Sequence, residues 1–112
     1  MTAPAAVDIG MMITSSPEIR GGRPRVAGTG MTVMRIAGWY KLGYSPEEIA
    51  RKIDHLSLAQ IYAALAYYHA NQDVIDADLD AEAAEYDRAY LEHKLKRQQE
   101  AEDRELEEQQ AA

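Results

Sequence analysis

The spacing of apolar residues between positions 32 and 71 predicts three amphipathic helices joined by short turns. The predicted helices span residues 32–42, about 46–53 and 58–70. Three helices of this length can bury one core between them. The residues expected to face that core are Val33, Ile36, Ala37, Trp39, Tyr40 and Leu42 in the first helix, Ile49, Ala50 and Ile53 in the second, and Leu58, Ile61, Leu65 and Tyr68 in the third.

The residues between these helices are typical of helix ends. Gly43 can adopt the positive φ that ends the first helix. Ser45 is placed as an N-cap, with Pro46 at the first helical position and Glu48 at capping-box spacing. A second break at residues 54–57 ends with Ser57, which can cap the third helix. A short capped helix followed by a longer one is how a recognition helix is presented to DNA, so this block predicts a helix-turn-helix.

Two short apolar runs before the helices predict a β-hairpin. Residues 11–14 and 25–27 are suited to strands, and Gly21 and Gly22 to a turn between them. Two short strands are not stable alone, so they must pack on the helices or pair with a second copy of the chain. Their exposed edges in a monomer favour a dimer built partly through them. We expect residues 1–10 to be disordered.

The composition changes after Asn71. Four aspartates within residues 73–80 are poor helix-interior residues, and they predict a turn and a cap. Residues from 81 to about 108 are mostly strong helix formers. Leu79, Ala83, Tyr86 and Tyr90 recur at helical spacing and predict one apolar stripe, which fades after Leu95. A single narrow stripe cannot bury itself and therefore indicates a partner, although a solvated helix or a helix packed across its own dimer are the alternatives.

Charge divides the chain in the same place. Of its 112 residues, those up to position 70 include seven Lys and Arg against five Asp and Glu. Those from position 71 include five against fourteen, so most of the net charge of −7 belongs to the C-terminal part. An acidic tail on a mildly basic module either binds a protein partner or repels non-specific nucleic acid.

Several classes of protein are not expected from this sequence. It has no cysteine, no signal peptide at its start and no apolar segment of the roughly 18 residues that span a bilayer, so we expect a soluble cytoplasmic protein. His55, His69 and His93 lack metal-ligand spacing. The aspartates at 76, 78 and 80 resemble the start of a calcium loop, but the glycine that such a loop requires is Ala81 here. With no phosphate-binding loop or metalloprotease motif either, we expect no enzyme, metal or cofactor.

Candidate DNA contacts lie in the third helix and in two basic groups. Gln60 can pair with adenine, Ala59 or Ala63 can touch a thymine methyl group, and Ser57 can meet a phosphate. Tyr67 is expected to be partly exposed. The third helix has no Arg or Lys, so a helix bundle that does not bind DNA is the alternative.

The basic residues around this helix can contact the DNA backbone. Arg51, Lys52 and His55 flank the third helix. The arginines at 20, 23 and 25, at least two of them on one strand face, can grip phosphates or a minor groove; alternatively they only aid solubility and limit edge pairing. The predicted DNA-binding residues are Arg20, Arg23, Arg25, Arg51, Lys52, Ser57, Gln60 and Tyr67.

Four segments carry a resemblance to a known family: residues 19–29, Thr32 with Val33, residues 43–49 and residues 55–68. In order and spacing they resemble the family catalogued as domain of unknown function 433, over roughly residues 11–80. The resemblance implies a small bacterial antitoxin whose helix-turn-helix binds its own operator and whose C-terminal segment neutralises a PIN-like nuclease toxin. Two positions depart from the family pattern. Gly30 stands where the family usually has Arg, and Ile53-Asp54 replaces a tyrosine or aspartate plus proline.

The sequence therefore predicts a mainly α protein: a three-helix helix-turn-helix domain with a short N-terminal β-hairpin and a long C-terminal helical tail. The predicted regions are a disordered N-terminus at 1–10, the domain at 11–71 and the tail at 72–112. We expect a dimeric type II antitoxin that binds a PIN-like nuclease and operator DNA, with a protein-interaction module that does not bind DNA as the alternative. The residues expected to contact the toxin are Leu79, Tyr86, Tyr90, Leu91 and Leu95.

Overall fold

The structure is a computed structural model that describes residues 6–111, and it confirms the predicted fold class. The chain divides into two units, Met1–Ala77 and Asp78–Ala112. The first contains the hairpin, the three predicted helices and the start of a fourth. The elements are a 3-10 helix at Ile9–Met12, β1 at Ile13–Thr14, a 3-10 helix at Arg20–Gly22, β2 at Arg25–Val26, α1 at Val33–Lys41, α2 at Pro46–Lys52, α3 at Leu58–Ala70 and α4 at Gln72–Ala111.

Side chains cap the helices of the domain where the sequence predicts them. The Oγ of Ser45 accepts a hydrogen bond from the Glu48 amide at 3.2 Å, and the Glu48 carboxylate accepts one from the Ser45 amide at 3.1 Å. The bond from the Ser45 amide holds the pKa of Glu48 below its ordinary value. Ser57 and Gln60 form the same box at the start of α3. Gly43 has a φ of 100° after α1, as predicted.

The core lies between α3 and the elements around it, which are α1, α2 and both strands. Three predicted core residues are exposed to different degrees. Leu42 is 76% exposed because it follows the last residue of α1, and Leu58 is 41% exposed at the first position of α3. Tyr40 is also at the surface, while Trp39 and Ala50 are only half-buried. Leu56, in the turn before α3, is buried instead. The other predicted core residues are confirmed as buried: Val33, Ile36, Ala37, Ile49, Ile53, Ile61, Leu65 and Tyr68.

The two strands are antiparallel and shorter than predicted, with Ile13 opposite Val26 and Thr14 opposite Arg25. Met11 and Met12 belong to a 3-10 helix whose first turn is capped by Asp8. This helix lies within the segment predicted to be disordered, of which residues 1–5 are outside the described part of the chain. Val26 is fully buried and the strands pack on α3, so the hairpin finds its packing partner within one protomer. A dimer through these strands stays a prediction.

The predicted turn at residues 73–80 is wrong, because α4 begins at Gln72 and includes all four aspartates. The chain breaks at one residue, Asn71, whose Nδ2 donates to the Tyr67 carbonyl at 3.0 Å. Asp73 lies in the first turn of α4, where a negative charge is favoured by the helix dipole. Ile75 is buried, and it anchors this first part of the helix.

The second unit remains helical without a core. Every described residue from position 80 onward is exposed. Helix formers dominate this stretch, and charges alternate in sign at every fourth residue, an arrangement worth about 0.2–0.5 kcal/mol for each pair. We call this set the charge ladder, and it consists of Arg88, Glu92, Lys96, Glu100, Arg104 and Glu108.

Candidate nucleic-acid interface and partner-binding helix

The outward face of α3 is small and mostly apolar. Ala59, Tyr62 and Ala66 are exposed along it, and Tyr67 is half-buried as expected. Ala63 is buried, so the expectation that it can touch a thymine methyl group is wrong. The helix turns it toward the core, two residues after Ile61, because α3 is packed on more than one side. This face offers DNA few groups that hydrogen-bond to base edges.

The two polar residues predicted to contact DNA from α3 already cap that helix. The Gln60 Oε1 accepts a hydrogen bond from the Ser57 amide at 2.7 Å, and the Ser57 Oγ accepts one from the Gln60 amide at 3.2 Å. Bidentate pairing with adenine uses both the oxygen and the nitrogen of a glutamine side chain. Gln60 can therefore donate through its Nε2, but full pairing competes with the cap. The role of both residues in DNA binding stays a prediction.

Basic side chains at the end of α2 are exposed beside α3. Arg51 and Lys52 lie in the last turn of α2, and His55 follows in the turn. The Lys52 ammonium is 4.5 Å from the centre of the Tyr44 ring, a cation–π distance that orders it without removing its charge from solvent. Arg51 and Lys52 are thus well placed for phosphates.

The three N-terminal arginines do not form one surface. Arg25 is buried, and its guanidinium donates to the Thr29 carbonyl at 3.1 Å and to the Ser16 hydroxyl at 3.4 Å. Arg20 and Arg23 lie outside the strands, so the prediction that two of the three share a strand face is wrong. Both are exposed. The Arg20 guanidinium packs against Gly30, leaving no free space for a side chain there, and this brings a positive charge to that position.

A tyrosine on α3 is linked to the start of α2. The Tyr62 hydroxyl donates to the Glu47 carboxylate at 3.0 Å, and this hydrogen bond raises the pKa of Tyr62. The pair is fifteen residues apart in sequence, and no local pattern signals it. It fixes the relative position of the two helices that form the helix-turn-helix.

A polar cluster joins α4 to α1 and α3. The Asp76 carboxylate accepts hydrogen bonds from the Lys41 ammonium at 2.9 Å and from the Tyr68 hydroxyl at 2.8 Å. The bond from Lys41, followed by that from Tyr68, holds the pKa of Asp76 below its ordinary value. Burial, followed by the bond to Asp76, raises the pKa of Tyr68. Sequence reasoning placed Asp76 in a turn and missed this link, which secures the beginning of α4.

The residues predicted to bind a partner from α4 lie on two faces of the helix. With 3.6 residues per turn, Leu79, Ala83, Tyr86 and Tyr90 fall within about 60° of one another, and we call them the tyrosine face. Leu91 and Leu95 lie about 120° and 160° around the helix from Leu79, so the prediction that they continue one stripe is wrong. We call Leu91 and Leu95 the leucine face.

Both faces are open in this structure. Tyr86 and Tyr90 are 71% and 62% exposed, and Leu91 and Leu95 are 54% and 55% exposed. Leu79 is half-buried. Large apolar side chains this exposed on a regular helix indicate interaction surfaces, since soluble monomers seldom expose several together.

Residues 13–68 match the sequence profile of a family described as a protein of unknown function (DUF433). The chain belongs to this family. A solved structure of a DUF433 member from Anabaena variabilis ATCC 29413 is similar, with a TM-score of 0.59 and 24% sequence identity over 62% of this chain and 69% of that one. That likeness shows a shared fold. A search of curated proteins gives no match.

The extent of the DUF433 segment separates the two kinds of candidate residue. It runs from β1 almost to the end of α3, so it includes every predicted DNA-binding residue. Every predicted partner-binding residue lies beyond it, on α4. The two surfaces can therefore change independently of each other.

Two kinds of site are absent from residues 6–111 of this DUF433 protein. No helix there is both long and apolar enough to cross a membrane. No three His, Asp or Glu side chains in that part of the chain lie close enough together to hold a metal ion. The candidate sites are thus surfaces for macromolecules.

Proposed function

We propose that this DUF433 protein is the antitoxin of a type II toxin–antitoxin system, acting in the cytoplasm. Its α4 binds and neutralises a PIN-like nuclease toxin, and its helix-turn-helix binds the operator of its own genes. The observation that carries this proposal is the leucine face, because its two exposed leucines have no packing partner in the described chain.

Burial of the leucine face supplies the energy for partner binding. Each leucine that becomes fully buried contributes about 1.5–3 kcal/mol. Acidic residues surround this face along the helix, and they outnumber basic ones from position 71 onward by fourteen to five. A nuclease needs a basic groove for its substrate, so an acidic helix can occupy the space of the nucleic acid.

The proposed DNA contact relies on phosphates. Arg20, Arg23, Arg51 and Lys52 are exposed on the domain, whereas α3 has no Lys or Arg. Affinity that comes from phosphate contacts falls steeply with salt, because each contact releases bound counterions. We therefore expect operator binding that is weak for the antitoxin alone at physiological salt.

One observation favours the second candidate function, a protein-interaction module that does not bind DNA. Ser57 and Gln60 are both engaged in the cap of α3, and the exposed residues after them are Ala59, Tyr62 and Ala66. An apolar face of this kind suits a protein partner as well as a DNA groove.

Toxin binding is tested with full-length variants co-expressed with the product of the adjacent gene. We expect the double substitution Leu91→Asp and Leu95→Asp to abolish co-purification and the rescue of growth, since it places charges in an apolar contact. Leu106→Asp is the matched control, because Leu106 has the same 55% exposure as Leu95 but lies beyond the predicted contact. Toxin binding that survives the double substitution would contradict the proposal.

Operator binding is tested by fluorescence anisotropy with DNA from upstream of the protein's own gene, with and without the toxin. We expect Arg51→Ala to weaken binding and to reduce the salt slope by about 1. Arg104→Ala removes the same charge from α4 and should leave the slope unchanged. If no DNA binds in either condition, the second candidate function replaces the DNA half of the proposal.

A further inference from the structure

We propose that the tyrosine face of α4 pairs with the same face of a second copy of this chain, in antiparallel orientation about a two-fold axis near Arg88. This gives the tyrosine face an occupant of its own and leaves the leucine face open. The proposal does not depend on the proposed function, because it concerns only how α4 pairs with itself.

The apolar positions of the tyrosine face have coiled-coil spacing. Leu79, Ala83, Tyr86 and Tyr90 recur at intervals of four, three and four, and the same spacing continues to His93. In an antiparallel pair that places Tyr86 of one copy opposite Tyr90 of the other, symmetry creates that contact twice. Four exposed tyrosines then meet at the centre of the interface, where burial of aromatic rings contributes most.

The charges beside this face match in the same register. The flanking positions place Asp80 of one copy opposite Lys94 of the other, and Glu82 opposite Lys96. Symmetry doubles both, which gives four pairs of opposite charge. The one pair of like charge is Asp87 with its own copy, close to the axis. Flanking charges of this kind determine partner and orientation in coiled coils.

A parallel pair has the opposite electrostatics. It places Glu82 beside Asp87 of the other copy, twice, and it forms no flanking pair of opposite charge. It also aligns the acidic part of each helix before position 88 with the same acidic part of its partner. The charge pattern of α4 therefore selects the antiparallel arrangement.

The orientation can be tested by cross-linking, because the chain has no cysteine of its own. Ala83, Ala84 and Ala89 are exposed, so single substitutions to cysteine should leave the fold intact. In the antiparallel register residue 89 lies opposite itself, so Ala89→Cys should form a disulfide-linked dimer. In a parallel pair Ala83→Cys would do so instead. Ala84→Cys faces away from the partner in both, and it measures random collision.

The role of charge is tested by sedimentation of the full-length protein at low salt. We expect Asp80→Lys or Lys94→Asp to weaken the dimer roughly tenfold, since each converts two attractive pairs into two repulsive ones. The combination of both substitutions should restore the affinity. Glu85→Lys makes the same change of charge away from this face and should have little effect.

Four results would overturn the proposal: a monomer at all concentrations, cross-linking of Ala83→Cys, equal cross-linking at all three positions, or failure of the double substitution to restore the dimer. Protection of Tyr86 and Tyr90 by the toxin alone would also overturn it, and would assign this face to the partner protein.

Discussion

The domain up to Ala77 and the rest of α4 are both helical for different physical reasons. α1, α2 and α3 contain nine, seven and thirteen residues, lengths that are marginal for an isolated helix in water. They are held by a shared core, with Ile36, Ile49 and Ile61 fully buried. α4 beyond residue 80 buries nothing among its described residues and relies on helix propensity and the charge ladder. Apolar residues therefore serve the fold in the first region and are available for partners in the second.

The largest predicted difference between the two regions follows from truncating one apolar side chain in each. Ile49→Ala should lower the free energy of unfolding by about 2–5 kcal/mol, because it leaves a cavity in the core. Leu95→Ala should change it by no more than about 0.5 kcal/mol. Urea unfolding followed by the fluorescence of Trp39, the only tryptophan, measures both. Similar losses for the two variants would mean that α4 is packed in solution.

Features determined by neighbours in sequence could be predicted from the sequence. The bounds of α3 agree with the predicted ones, and those of α1 and α2 agree to within one residue at each end, because Ser45, Ser57 and Gly43 act on residues three or four positions away. The amphipathic spacing of these helices likewise predicted most of the core.

Features that depend on distant residues could not be predicted in this way. Arg25 carries no signal that its guanidinium is buried against Thr29 and Ser16. Asp76 appeared suited to a turn, but its partners Lys41 and Tyr68 make it part of a helix. The separation of Leu91 and Leu95 from the tyrosine face differs, because it follows from helix geometry alone once α4 is known to be continuous.

A second prediction concerns the cap of α3, which belongs to the domain but is a local interaction. Ser57→Ala should destabilise the domain by about 1 kcal/mol, since it leaves the Gln60 amide without its acceptor. Ser15→Ala removes an exposed hydroxyl from the loop after β1 and should have almost no effect. Denaturant midpoints compare the two. An unchanged midpoint for Ser57→Ala would show that solvent replaces the cap.

The third prediction tests the link between the domain and the beginning of α4. The pKa of Asp76 is below its ordinary value of 3.8, so the ionised carboxylate stabilises the folded state. This contribution should be complete above that value and should be lost as the pH falls through the lowered pKa. Asp76→Asn should therefore be less stable than the natural protein at neutral pH, and the difference should vanish in strong acid.

The control for Asp76 is Asp54→Asn, because the Asp54 side chain is fully exposed. We expect this variant to follow the natural protein at every pH in acid titrations of the unfolding midpoint. A difference between Asp76→Asn and the natural protein that does not change with pH would show that the carboxylate acts only through its shape.

The smallest predicted effect concerns the charge ladder, which the domain lacks. Arg104→Glu places a negative charge four residues from both Glu100 and Glu108, turning two attractive pairs into repulsive ones of about 0.2–0.5 kcal/mol each. Because no described residue near position 104 is buried, the last turns of α4 should fray while the unfolding midpoint of the domain stays unchanged. Circular dichroism should show reduced helicity at low salt that recovers in part at high salt, where screening weakens the repulsion. Arg104→Gln, which removes the attraction without adding repulsion, should lie between the two. If Arg104→Glu is as helical as the natural protein at low salt, helix propensity alone maintains this end of α4.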